Sequence, residues 1–74
     1  MPIDVFEINC DDEALPEKLE RRYGCPGNTG REVKGPDGDF VHLPTKNLWF
    51  RIYNRRPFIV QRLIQPPRFV EEER

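Results

Sequence analysis

The chain has 74 residues, of which 36% are apolar and 34% charged, and its formal net charge is -1. That length predicts one small domain with a lean core and excludes a TIM barrel or a two-half dinucleotide fold. The longest apolar runs, such as Leu48-Trp49-Phe50 and Phe58-Ile59-Val60, are three residues, so no stretch approaches the roughly 20 apolar residues of a spanning helix.

Residues 3–9, Ile3-Asp4-Val5-Phe6-Glu7-Ile8-Asn9, are rich in β-branched and aromatic side chains and predict a strand. The alternation slips once near Phe6, which fits a bulge or a strand buried on both faces. Asp11, Asp12 and Glu13 open a helix that runs from Leu15 or Pro16 to Tyr23. Pro16 suits the first turn, where a missing N–H costs nothing. Glu17 and Glu20 precede Arg21 and Arg22, an order that complements the helix dipole, and Glu17 with Arg21 forms a favourable i, i+4 pair. Leu15, Leu19 and Tyr23 make a narrow apolar stripe, and Gly24 is the expected stop. Two turns do not stand alone in water, so this helix must dock.

Residues 24–38 hold all five glycines together with Pro26 and Pro36, and read as a flexible connection that orders on binding. Within it, Pro36-Asp37-Gly38 is a turn signal joining a short strand, Arg31–Lys34, to Asp39–Leu43. Asn47–Tyr53 and Phe58–Ile64 then read as two strands joined by the turn Asn54-Arg55-Arg56-Pro57. Leu48, Phe50 and Ile52 share one face of the first strand, with Trp49, Arg51 and Tyr53 on the other. On the second strand Phe58, Val60 and Ile64 share a face interrupted by Arg62. Pro66-Pro67 ends the pairing. Residues 1–70 form one domain in this reading, and 71–74 a disordered acidic tail.

The expected fold is small α+β, a short helix packed on a three- to four-stranded antiparallel sheet. The alternative is an SH3-like small β-barrel, which would also bury two-faced strands. The expected core is Val5, Ile8, Leu15, Leu19, Val41, Leu48, Phe50, Ile52, Phe58, Val60 and Ile64.

Sites of chemistry are sparse. The N-terminus lacks the basic and apolar regions of a secretory signal, so a cytoplasmic protein with reduced thiols is expected. Cys10 and Cys25 are the two cysteines; paired, they would close a loop of about 15 residues and stabilise the fold by roughly 3 kcal/mol. Cys10, Cys25 and His42 lack the close pairs of zinc sites, and no metal or cofactor is expected. The run from Gly24 to Arg31 is glycine-rich, yet it lacks the Gly-Lys-Ser/Thr ending and the following helix of a phosphate loop. With no Ser and one His, Cys25 beside His42 is a nucleophile and base without a local signature, so an enzyme is not expected. Pro66-Pro67-Arg68-Phe69 does not form a PxxP ligand.

Net charge hides an asymmetry. Residues 1–39 hold ten acidic and five basic side chains, whereas residues 40–70 hold no Asp or Glu and six cations, Lys46, Arg51, Arg55, Arg56, Arg62 and Arg68. Trp49, Tyr53, Phe58 and Phe69 are interleaved among them. Arginine offers a planar fork to carboxylate or phosphate and stacks on aromatic rings. The expected function is a non-enzymatic binding module, of the small bacterial or phage regulator type, acting on a larger protein. Its partner-binding surface centres on Trp49, Arg51, Tyr53, Arg55 and Arg56, with Arg62 and Arg68 on the flanks. The alternative is a nucleic-acid-binding protein using the same surface, which a pI of about 5.8 disfavours. A third possibility is intramolecular, with the acidic half covering the basic hairpin and Glu17, Glu20 or Asp12 beside Arg51 or Arg62. No membrane association is expected, and the free protein is expected to be a monomer.

Overall fold

The structure is a computed structural model and describes residues 4–25, 27 and 29–72. Strand β1 (Val5–Ile8) leads through a 3-10 turn at Asp12–Ala14 into helix α1 (Leu15–Tyr23). Strands β2 (Arg31–Gly35), β3 (Gly38–Leu43), β4 (Leu48–Asn54) and β5 (Phe58–Leu63) follow as a meander, and a short helix α2 (Arg68–Glu72) ends the described chain. The sheet has five strands in the order β1-β5-β4-β3-β2, every pair antiparallel. It is thus one strand wider than the widest sheet expected, because β1 adds to the free edge of β5. With β1 and β2 at opposite edges the sheet stays open, so the fold is a small α+β domain and not a closed barrel.

The local signals act as expected at α1. Pro16 sits in the first turn, and Gly24 adopts the left-handed conformation at φ 69° that lets its N–H reach back to Glu20 and Arg21 carbonyls. Leu15 and Leu19 are fully buried against the sheet, and Tyr23 packs at the edge of the same cluster. That cluster takes Ile8 and Phe6 from β1, Val41 and Leu43 from β3, Leu48, Phe50 and Ile52 from β4, and Phe58 and Val60 from β5. Tyr23, Phe6 and Phe50 close its end as an aromatic triangle, with Tyr23 and Phe50 centroids 5.2 Å apart.

Two expected core residues lie outside it. Val5 is 56% exposed and Ile64 is 89% exposed. Phe6 and Ile8 face α1, and the two-residue period of a strand then turns Val5 to the opposite face. Ile64 follows the last residue of β5 and leaves the pleat before it can reach the core. Phe40, Leu43, Cys25, Trp49 and the carboxylate of Glu20 are buried beyond the expected set.

The connection after α1 is only partly a loop, since its second half forms the β2–β3 hairpin. The first half is tied down by Glu20, whose carboxylate accepts the Gly30 N–H. Gly30 is required by this close approach, because a Cβ there would lie 2.6 Å from Leu43 Cδ2. Both cysteines are free thiols. Glu71 and Glu72 of the expected tail belong to α2, and Glu73 and Arg74 lie outside the described residues. Among the described residues no helix is long and apolar enough to cross a membrane.

Candidate interaction surface

Helix α1 covers one face of the sheet and leaves the other to α2 and solvent. The pairing register builds a row on this second face that crosses all five strands: Val5, Gln61, Arg51, Phe40 and Val33. Tyr53 stands beside the row and donates its hydroxyl hydrogen to Gln61 Oε1. The Arg51 guanidinium carbon lies 5.3 Å from the Tyr53 ring centroid and 5.6 Å from that of Phe40, so the cation is held between two rings. One Arg51 nitrogen also donates to the Asp37 carbonyl at 3.2 Å. Arg51 makes no carboxylate pair among the described residues, and Tyr53 is 56% exposed. At the far end of the row α2 lays Phe69 on Phe40, centroids 5.3 Å apart, and against Gly35.

The seven sequence-derived contact residues therefore do not form one patch. Arg51 and Tyr53 come together on the open face. Trp49 shares that face by register but is buried, with its ring stacked on His42 at 4.2 Å. Its position reflects packing: His42 is its cross-strand partner, and Asn47 holds the imidazole from the β3–β4 turn. Arg56 is exposed at the tip of the β4–β5 turn. Arg62 lies on the α1 side, its guanidinium 5.5 Å from the Tyr23 ring centroid. Arg68 is exposed on α2.

Arg55 turns away from the open face altogether. It bonds Asp39 at 2.8 Å, bonds Glu32, and pairs with Asp12 at 3.6 Å. Those carboxylates come from the 3-10 turn, β2 and β3, so one guanidinium clamps the start of the helical segment to the two hairpins. The bonds to Asp39 and then Glu32 push its pKa further up, and the group stays charged at any working pH. Among the described residues the carboxylates of the acidic half thus pair with the basic half through Arg55, not through Arg51 or Arg62.

Phe40, Gln61 and Val5 are the surface components that the sequence did not single out. Their signal was the register: once Phe40 is set opposite Arg51, the alternation of β3, β4 and β5 places all of them on one face. Cys25 lies in the core and His42 stacks on Trp49, so these two serve packing. Burial, the largest influence on Cys10, pushes its thiol pKa up, which lowers its reactivity. Among the described residues no group of His, Cys, Asp and Glu is placed to hold a metal ion. No protein-family model, curated protein or solved structure matches the chain, so the surface is read from its own residues.

Proposed function

We propose that this protein is a non-enzymatic binding module that regulates a larger protein, which it grips with the open sheet face around Arg51 and Tyr53. One observation carries the reading. Arg55, at the hairpin turn, is held by three of the chain's own carboxylates, whereas Arg51 stands between two rings on the face that α1 leaves open and α2 covers only at its Phe40 end, with no acidic partner among the described residues. Tyrosine and arginine dominate protein-binding hot spots, and both side chains here are ordered by contacts that exist before a partner arrives. A phosphate backbone calls instead for a run of uncompensated cations, and the cage around Arg55 interrupts that run.

The test compares variants of the tagged protein for retention of the partner. Arg51→Ala and Tyr53→Ala each reduce affinity by about 2 kcal/mol or more, while Arg56→Ala on the turn tip leaves it within a factor of about two. Labelled single- and double-stranded oligonucleotides show no binding at low salt. Micromolar oligonucleotide binding that weakens steeply with salt overturns the reading.

A further inference from the structure

A second feature lies at the end of the sheet, beside the β3–β4 turn. A groove of about 620 Å3 runs there between Asp4, Lys46, Leu48, Trp49, Arg62 and Ile64. Its two cations are already positioned. Lys46 Nζ donates to the Tyr23 carbonyl at 3.1 Å, and the Arg62 guanidinium lies 5.5 Å from the Tyr23 ring centroid. Both are therefore gathered around the last residue of α1, and neither makes a carboxylate pair among the described residues. The rest of the wall is mixed: Asn47 and Gln65 are polar, Leu48, Leu63 and buried Trp49 are apolar, and Ile64, 89% exposed, adds an apolar rim.

We propose that this groove takes an acidic peptide segment of a protein partner, one in which a carboxylate stands beside an aliphatic or aromatic side chain. The carboxylate meets Lys46 and Arg62, and the apolar neighbour covers Ile64 and Leu48. Charge complementarity selects this occupant: the charged side chains of the groove are two cations, Lys46 and Arg62, against the single carboxylate of Asp4. Pre-ordered cations lower the entropic cost of ion pairing. Asp4 is the one acidic wall residue; its carbonyl accepts the Arg62 N–H at 2.8 Å, and its charge opposes the peptide carboxylate. The inference rests on the reading that this is a protein-binding module, but it uses a surface separate from Arg51 and Tyr53.

Trp49 is the single tryptophan of the chain and lines the groove, so its fluorescence reports occupancy directly. The probe is the acetylated, amidated tetrapeptide Asp-Glu-Ile-Phe, titrated into the full chain. A saturable change that weakens with salt is expected. Lys46→Ala and Arg62→Gln each raise Kd about threefold to tenfold, and Asp4→Asn lowers it. Arg51→Ala leaves it unchanged. Far-UV circular dichroism checks that each variant folds, and Arg62→Gln keeps a polar side chain of intermediate length at that position. No saturable change overturns the proposal, as does an equal response to Lys-Lys-Ile-Phe or to an oligonucleotide. A tryptophan shift that follows protein concentration without peptide also overturns it, in favour of a second copy as occupant. These failures leave the Arg51 and Tyr53 surface untouched, because partner retention by the Arg51→Ala and Tyr53→Ala variants tests that surface separately.

Discussion

Arg55→Ala removes the clamp between the start of the helical segment and the two hairpins. Its cost follows from the geometry. The bonds to Asp39 and Glu32 are charge-assisted, a class worth about 1.5–3 kcal/mol when sheltered. Here the side chains are 31% exposed for Arg55, 33% for Asp39 and 23% for Glu32, so solvent screening brings each down to about 1 kcal/mol. The Asp12 pair, at 3.6 Å with Asp12 half exposed, adds nothing measurable. The Arg55 guanidinium carbon also lies 5.6 Å from the Phe58 ring centroid, so a cation–ring contact is lost as well. The expected loss is about 2 kcal/mol, or roughly 10 °C in Tm for a domain of this size. Urea unfolding followed by the fluorescence of buried Trp49 measures it. Arg55→Lys keeps the charge without the planar fork and recovers about half. In a double-mutant cycle Arg55→Ala and Asp39→Asn are less than additive. If Arg55→Ala stays within about 0.5 kcal/mol of the parent chain, the clamp is an exposed ion pair of the ordinary kind and the reasoning is wrong.

Other perturbations follow from the same structure. Gly30→Ala places a Cβ 2.6 Å from Leu43 Cδ2 and 3.0 Å from Glu20 Oε2, and costs about 1–3 kcal/mol in urea unfolding. Glu20→Ala leaves the Gly30 N–H without its acceptor and costs about 1–3 kcal/mol, and the two changes are not additive because they disrupt one contact. Gly35→Ala places a Cβ 2.7 Å from Phe69 Cε2 and pushes α2 off the sheet, which amide hydrogen exchange at residues 68–72 detects as lost protection. Folding holds the Cys10 proton more tightly than the unfolded chain does, so the stability from this group is full below about pH 9 and falls as pH rises above it. Cys10→Ser removes that alkaline loss, and in the parent chain thiol labelling at pH 8 is slower at Cys10 than in a free cysteine.

What was legible in the sequence was local. The Leu15, Leu19 and Tyr23 stripe, the Gly24 stop and the turns at Pro36-Asp37-Gly38 and Asn54–Pro57 each carry their signal within a few residues. They produced α1 and both hairpins. The joining of β1 to β5 is a contact between chain ends, and no spacing in either strand encodes it. The slip at Phe6 is neither a bulge nor two-sided burial: β1 pairs with β5 in unbroken register, Phe6 and Ile8 point to α1, and Val5 goes to the open side. Trp49 and Arg55 misled for opposite reasons. An interleaved Trp on a basic strand resembles a contact residue, but its cross-strand neighbour His42 stacks on it. Arg55 resembles a free cation at a turn, but its partners Asp12, Glu32 and Asp39 are distant in sequence and meet it only after the sheet has formed.

The most direct test of the central claim places a photocrosslinking amino acid at Tyr53 and, in parallel, at Glu17 on the exposed side of α1. Light is applied in the cells that make the protein, followed by nuclease. The account predicts a discrete protein adduct from position 53 that survives nuclease, disappears with Arg51→Ala, and is absent from position 17. An adduct that nuclease removes, or one that forms equally from both positions, would contradict it.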